Sequence, residues 1–322
     1  MNTHEITNEK GRVIVAYGKY YRLLVEQEEI IAELSGNFRY ENQETGDLPA
    51  VGDWVWFQRS DTQHGIIHKI EERTAKFSRK IAGNRSDEQI IATNIDWLFI
   101  VSSMNHDFNL RRIERYFVAA EESGAVPVVV LTKSDQCENP DLFLVPLYEL
   151  TTEIIVIGFG EDEGLNKIFQ KFMKGETGAF VGSSGVGKST LINRLLGKKH
   201  LDVSDIREDD SKGRHTTTHR ELIALPSGGY VIDTPGMREF QVFQETDELH
   251  TVFKEIAELA KECRFRDCSH GPEIGCAVQE ALETGKLSKE RYHNYLKIQR
   301  EIAYQERRVQ QKERIGNKRK RR

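Results

Sequence analysis

Residues 182–189 read Gly-Ser-Ser-Gly-Val-Gly-Lys-Ser. The pattern is G-x-x-x-x-G-K-[ST]. It constrains the chain more than any other stretch, because it requires a strand before it, a helix after it and an anion between them. Both flanks comply: Ala179-Phe180-Val181 is an apolar run of strand length, and residues 190–196 carry Leu and Ile at helical spacing. Gly182, Gly185 and Gly187 let the backbone curl until its N–H groups point inward at phosphate oxygens. Lys188 then becomes the cation for the β- and γ-phosphates, and the Ser189 hydroxyl a ligand of Mg²⁺. Ser183, Ser184, Val186 and Thr190 complete the nucleotide-binding loop, with the positive end of the helix behind it.

Around this loop the sequence alternates strands and helices from residue 93 onward. Buried-strand runs are Ile95-Asp-Trp-Leu-Phe-Ile-Val101, residues 126–131 and Glu153-Ile-Ile-Val-Ile157; helical spacing covers residues 110–123 and 165–173. The pattern predicts a doubly wound parallel sheet with ligands at the carboxyl ends of its strands. Thr132-Lys133-Ser134-Asp135 stands at one such end and is similar to the Asn-Lys-x-Asp element that selects guanine. A carboxylate at Asp135 accepts from both N1–H and the 2-amino group, a pair of donors that adenine lacks. An ATPase would have no use for it. The Lys133 stem lies along the base in this reading, and Thr132 takes the place of the usual Asn.

Residues 200–213 are polar and read as a switch segment, followed by Gly213-Arg-His-Thr-Thr-Thr218. After the strand Glu221-Leu-Ile-Ala-Leu225 and the turn at Gly228-Gly229, Tyr230-Val-Ile232 leads into Asp233-Thr-Pro-Gly236. Asp-x-x-Gly at a strand end is the second Mg²⁺ element of P-loop GTPases: Asp233 faces the metal and the Gly236 N–H the γ-phosphate. Thr217 is assigned to Mg²⁺ and catalysis, Thr216 to the nucleotide, closing the switch over both. The position after Gly236, where Ras-like enzymes carry a water-orienting Gln, is Met237, so intrinsic turnover is expected to be slow. His215 is the candidate for that water. Since the guanine element precedes the P-loop here, the GTPase order is circularly permuted, and the Asp-x-x-Gly switch joins directly to whatever follows.

Ahead of this domain, Arg12-Val-Ile-Val-Ala16, residues 20–25 and 30–34, Asp53-Trp-Val-Trp-Phe57 and Gly65-Ile-Ile-His68 are short apolar or alternating runs between turn residues such as Gly18, Gly36, Asn42, Gly46 and Gly52. They predict a small closed barrel of the OB type over residues 1–75. Tyr20, Tyr21, Arg39 and Tyr40 are candidates for contact with nucleic acid, the alternative being core or hairpin positions. Residues 76–92, with Arg79, Lys80, Asn84 and Arg85, read as a linker with a mobile loop. The GTPase domain is assigned to residues 93–240 and a helical domain to 241–322.

That last domain begins with one amphipathic helix over residues 245–261. Cys263-x4-Cys268-x-His270-x5-Cys276 follows: three thiolates and one imidazole, a complete tetrahedral set for a structural Zn²⁺. Three of the chain's four cysteines lie here, and such clustering favours metal over disulfides; Cys137 stands apart as an ordinary thiol. Residues 287–314 predict a long charged helix striped with Tyr292, Tyr295, Ile298 and Ile302. The net charge is −5, yet the chain finishes on Lys318-Arg-Lys-Arg-Arg322, either a solvated tail or a contact for RNA phosphate. The start has no basic residue followed by an apolar run, and no apolar stretch approaches a membrane span, so a cytoplasmic protein is expected.

A β-barrel, a permuted GTPase and a Cys3His domain in this order resemble the RsgA/YjeQ family, the circularly permuted GTPases of small-ribosomal-subunit assembly. Residues 132–135, 182–189, 213–218, 233–236 and the Cys3His spacing carry the resemblance, with Asn94-Ile-Asp96 and Cys276-Ala-Val278 also matching. It implies a GTPase that binds the 30S subunit and its 16S rRNA near the decoding region, acts in late maturation, and hydrolyses GTP to GDP and phosphate when stimulated by the subunit; nothing in the sequence suggests more than a monomer. It also supports His215. Besides Thr132, the chain departs in having Gly158-Phe159 where the family's base-supporting loop has Ser-Ala. The residues alone leave open a permuted GTPase serving another RNA or protein, or an RNA-binding module gated by nucleotide.

Overall fold

In a computed structural model, the described residues are 8–42, 45–80, 88–151, 153–160, 162–173, 175–198, 220–233, 246–266, 268–271 and 273–320. The chain divides into two compact units, residues 1–108 with 123–239, and residues 109–122 with 240–322.

The first unit opens with β1 (Glu9–Ala16), β2 (Tyr20–Val25), β3 (Glu28–Leu34), α1 (Gly36–Glu41), β4 (Trp54–Arg59) and β5 (His64–Ile70). The strands close in the order β1-β2-β3-β5-β4, the five-stranded barrel expected of an OB-like domain. Alternation points Val13, Leu23, Ile30, Val55, Phe57 and Ile67 into one core. β1 reaches both sides of the barrel: its first half pairs with β4 and its second with β2, across a bulge between Val13 and Val15. Parallel pairing of β3 with β5 completes the closure. Helix α1 falls where Gly36 and Asn42 suggest only turns. The Ser35 hydroxyl caps it by accepting from the Phe38 N–H, and Phe38 buries against the barrel.

Of the aromatic candidates for nucleic-acid contact, Tyr21 is corrected to a core residue at 2% exposure, whereas Tyr20 and Tyr40 are exposed. Consecutive residues of a strand face opposite sides, so Tyr20 and Tyr21 cannot share a surface. Within the span read as a linker, β6 (Lys76–Lys80) and β7 (Glu88–Thr93) pair as a two-stranded antiparallel ribbon, with Phe77, Ile90, Ile91 and Ala92 buried. Asn84 and Arg85 lie outside the described residues.

The chain continues through β8 (Trp97–Ser103), α2 (Leu110–Ser123), β9 (Val126–Thr132), α3 (Asp141–Tyr148), β10 (Ile154–Ile157), α4 (Glu163–Gln170), β11 (Thr177–Val181), α5 (Lys188–Leu196), β12 (Glu221–Ala224) and β13 (Tyr230–Asp233). Their sheet runs β10-β9-β8-β11-β13-β12, parallel except for the edge strand β12, which forms a hairpin with β13. Strands step outward from β8 to β10, and the chain then returns to β11 on the other flank of β8. The reversal creates a crevice at the carboxyl ends of β8 and β11, the place where open α/β sheets bind ligands. Phe99, Phe172 and Phe180 pack beneath it, with Phe99 and Phe180 stacked at 4.7 Å. Helix α3, in the connection after Asp135, is an addition to the expected pattern.

Barrel and sheet are joined inside this unit by Arg12. Arg12 is 4% exposed; its guanidinium donates to Thr177 Oγ1 at 2.7 Å and to the Asn94 carbonyl at 3.3 Å, and lies over the rings of Trp54 and Tyr230. Thr177 and Tyr230 begin the two strands that lead to the P-loop and to Asp233.

The second unit holds residues 109–122, which include most of α2, together with α6 (Thr246–Val252), α7 (Lys254–Lys261), α8 (Ala277–Glu283) and α9 (Lys289–Lys320). The single helix expected over 245–261 is broken at Phe253, whose φ of −110° and ψ of 52° are not helical. The break lets Phe253 bury fully, edge-on to Tyr295 and beneath the Arg291 guanidinium. Tyr292, Tyr295, Ile298 and Ile302 form the buried stripe of α9 that their spacing predicts. Among the described residues no helix is long and apolar enough to cross a membrane.

Candidate active site and metal centre

β11 delivers the chain to the P-loop fully buried, and Gly182 turns it. Gly182 has φ +144°, and a Cβ there would stand 2.2 Å from the Val101 carbonyl oxygen, so only glycine fits between the loop and β8. Gly185 and Gly187 also have positive φ, Gly187 as the residue from which α5 starts. The loop therefore closes over the helix N-terminus, with its amides and the helix dipole available to an anion. The Lys188 ammonium arches back across the loop and donates to the carbonyls of Gly182 (2.8 Å) and Ser183 (2.6 Å). Ser184 and Thr190 are exposed, and Ser189 is half-buried in the first turn of α5.

The Thr132–Asp135 element is tied to this loop by a contact that the sequence does not disclose. Thr132, buried at the end of β9, donates its hydroxyl to the Val186 carbonyl at 2.7 Å, with the Ser102 carbonyl 3.3 Å away. The substituted Thr thus braces the P-loop, the task expected of Asn. Lys133 follows in the left-handed region (φ 61°, ψ 35°), a conformation that costs a non-glycine residue about 1 kcal/mol or more and that turns the chain into the short 3₁₀ segment Ser134–Gln136. The Asp135 carboxylate accepts from the Phe159 N–H at 2.8 Å, so the loop after β10 supports it although Ser-Ala is replaced by Gly-Phe. Arg194, on the P-loop helix, holds that loop in turn, donating to Asp162 Oδ1 at 3.0 Å and to the Gly158 carbonyl at 3.5 Å. Its position on the polar side of α5 gives no sign of this role.

Asp233 ends β13 in register with Phe180 of β11, which brings it level with the approach to Gly182. An acidic residue on the strand beside the P-loop and a hydroxyl in the first turn of α5 are the hard oxygen donors that suit Mg²⁺. His215, Thr216, Thr217, Gly236 and Met237 lie outside the described residues.

In the helical unit, Cys263, Cys268, His270 and Cys276 converge with their ligand atoms all within 4.8 Å of one another. Cys263 Sγ lies 3.6 Å from His270 Nδ1 and 3.9 Å from Cys276 Sγ, and Cys276 Sγ lies 3.7 Å from Nδ1. A tetrahedral zinc centre has edges of about 3.5–3.8 Å, so the donor set fits that ion. Burial holds the His270 imidazole below its ordinary value, with Glu273 pulling the other way, which favours the neutral form that ligates. His270 has φ 57°, and its carbonyl is fixed by the Tyr292 hydroxyl (2.6 Å) and the Gln279 amide. Cys263 Sγ accepts from the N–H groups of Ala277 and Val278 at the start of α8. These supports come from helices outside the Cys-His spacing, which is why the spacing alone does not reveal them. Cys137 stands outside the cluster.

A family model described as the RsgA GTPase matches residues 70–243, and one described as the RsgA N-terminal domain matches residues 10–67. The small ribosomal subunit biogenesis GTPase RsgA 2 of Lactiplantibacillus plantarum is 47% identical over 92% of this chain and 84% of its own length. The protein of that name from Listeria monocytogenes is 46% identical over 92% and 85% of the two chains. Among solved structures, YloQ, described as a circularly permuted GTPase, superposes with a TM-score of 0.64 at 27% identity, covering 94% of this chain and 98% of that one. YjeQ from Thermotoga maritima does so with a TM-score of 0.66 at 25% identity, covering 92% and 99%. A Thr-Lys-Ser-Asp element placed before the P-loop, the barrel ahead of it and these matches across nearly the whole chain lead to one conclusion: the chain belongs to the RsgA family of circularly permuted GTPases.

Proposed function

We propose that this protein binds the small (30S) ribosomal subunit in the cytoplasm, as a monomer, and acts late in its maturation by hydrolysing GTP to GDP and phosphate. The observation that carries the reading is the frame linking Asp135, Thr132 and Val186: base selection and phosphate binding share one rigid support. Relatives named for small-subunit biogenesis, similar over most of the chain, supply the partner.

In this reading Lys133, Ser134 and Asp135 hold the guanine. The backbone of residues 182–190, Thr216 and Gly236 hold the phosphates, and Lys188 leaves its loop carbonyls to meet the β- and γ-oxygens. Ser189, Thr217 and Asp233 would hold Mg²⁺, which supplies charge neutralisation across those phosphates. His215 orients the attacking water, since Met237 has no group for the task. One zinc ion at Cys263, Cys268, His270 and Cys276 organises the helical unit and takes no part in hydrolysis. The exposed Tyr20, Arg39 and Tyr40 of the barrel and the basic run at 318–322 face 16S rRNA.

The test is GTP turnover with and without purified 30S subunits, with 50S subunits and bare rRNA as controls. Selective stimulation by 30S is expected, and it disappears in His215→Ala while GDP binding persists. Equal stimulation by bare rRNA would move the function to another RNA-linked role.

A further inference from the structure

The loop that supports Asp135 carries a side chain with no evident structural purpose. Phe159 is 89% exposed, more than any other large apolar residue among those described. Its backbone is well placed nonetheless: the N–H donates to the Asp135 carboxylate, and Arg194 anchors the loop on both sides, at Gly158 and Asp162. Gly160 follows in the left-handed region, with φ +78°, and turns the chain after the ring. The arrangement is an anchored backbone bearing an exposed aromatic ring beside the Asp135 carboxylate.

We propose that Phe159 is a base-contact residue, its ring lying against the guanine held by Asp135. The proposal rests on the guanine-site reading given above. Its physical warrant is that an aromatic face stacks on any nucleobase, gaining contact without hydrogen bonds. A residue whose N–H touches the same carboxylate as the base edge stands within one side-chain length of that base. The ring thus adds contact area in the loop where Ser-Ala is replaced. Such a contact is indifferent to the 2-amino group, whereas Asp135 reads it, and this difference separates the two roles.

The experiment uses the full chain with GDP and with IDP, which lacks the 2-amino group, in calorimetric titrations. Phe159→Ala should weaken both nucleotides by the same factor, about 5- to 100-fold. Phe159→Trp should bind GDP near wild-type affinity and change its emission on saturation, beyond any change from Trp54, Trp56 and Trp97 in the wild-type chain. Phe159→Ala within two-fold of wild type for both nucleotides would overturn the proposal. So would a Phe159→Trp variant whose added emission is blind to saturating GDP. Normal GDP binding by Phe159→Ala combined with lost stimulation by 30S subunits would also overturn it, assigning the ring to the partner. Failure of the wild-type chain to bind GDP is a different result, which removes the guanine site itself and the proposal with it.

Discussion

Arg291→Met places an unpaired charge inside the helical unit. Glu114 is 1% exposed, and its carboxylate is held by Arg291 through one oxygen and by the Asn294 amide through the other. Arg291 also binds Glu255 and the Val252 carbonyl, so its own charge is secure. Glu114 is not as well served: burial holds its carboxyl above the ordinary 4.5, with Arg291 and then Asn294 pulling it back down. Removing the guanidinium while keeping most of the side-chain volume leaves Glu114 with one neutral donor. Breaking a buried pair in this way costs about 3–5 kcal/mol when the remaining group is ionised.

A carboxyl whose folded value is raised contributes stability that is full below its unfolded value and is lost as pH rises through the folded one. In the variant the folded value rises further, so the loss extends to higher pH. The gap between wild type and Arg291→Met should therefore be small at pH 5, about 1–2 kcal/mol from the missing hydrogen bonds, and widen to about 3–5 kcal/mol at pH 8. Hydrogen exchange in α2 and α9, corrected for intrinsic rates, reads the opening free energy locally. Adding Glu114→Gln should recover most of the loss at pH 8. A deficit equal at both pH values, or a double variant as unstable as the single, would refute the reasoning.

Three further outcomes follow from the geometry. Thr132→Val keeps the shape but removes the donor to the buried Val186 carbonyl; it should cost about 1–2 kcal/mol in urea unfolding and weaken GDP binding measurably in the same preparation. Gly182→Ala forces a Cβ against the Val101 carbonyl at positive φ, so the loop must shift, and nucleotide binding should fall below detection by calorimetry even where circular dichroism reports a folded chain. Cys276→Ser should drop zinc from one equivalent per chain to near zero by elemental analysis and lower the melting temperature of the helical unit, leaving GDP affinity unchanged.

Much of the fold is legible in the sequence because its signals are local. Short apolar or alternating runs mark the five barrel strands, continuous apolar runs mark the parallel strands, and the spacing of Tyr292, Tyr295, Ile298 and Ile302 marks the buried side of α9. What escapes is decided by distant partners. Phe253 leaves a helical pattern because Tyr295 and Arg291 offer it a buried place, and residues 76–80 become a strand because residues 88–93 lie beside them. Tyr21 and Tyr20 look equivalent as aromatics until strand parity sends one inward.

The same division runs through the site. By itself the sequence determined the P-loop, the order of the Thr-Lys-Ser-Asp element ahead of it and the Cys3His set, since each is a short pattern whose chemistry depends on residue type and spacing. Only the tertiary structure decided that Thr132 can brace Val186, that Arg194 can hold the loop beneath Asp135, and that Tyr292 and Gln279 fix the His270 carbonyl. Those are contacts between segments apart in the chain, and a hydrogen bond depends on where two groups end up in space rather than on how many residues separate them.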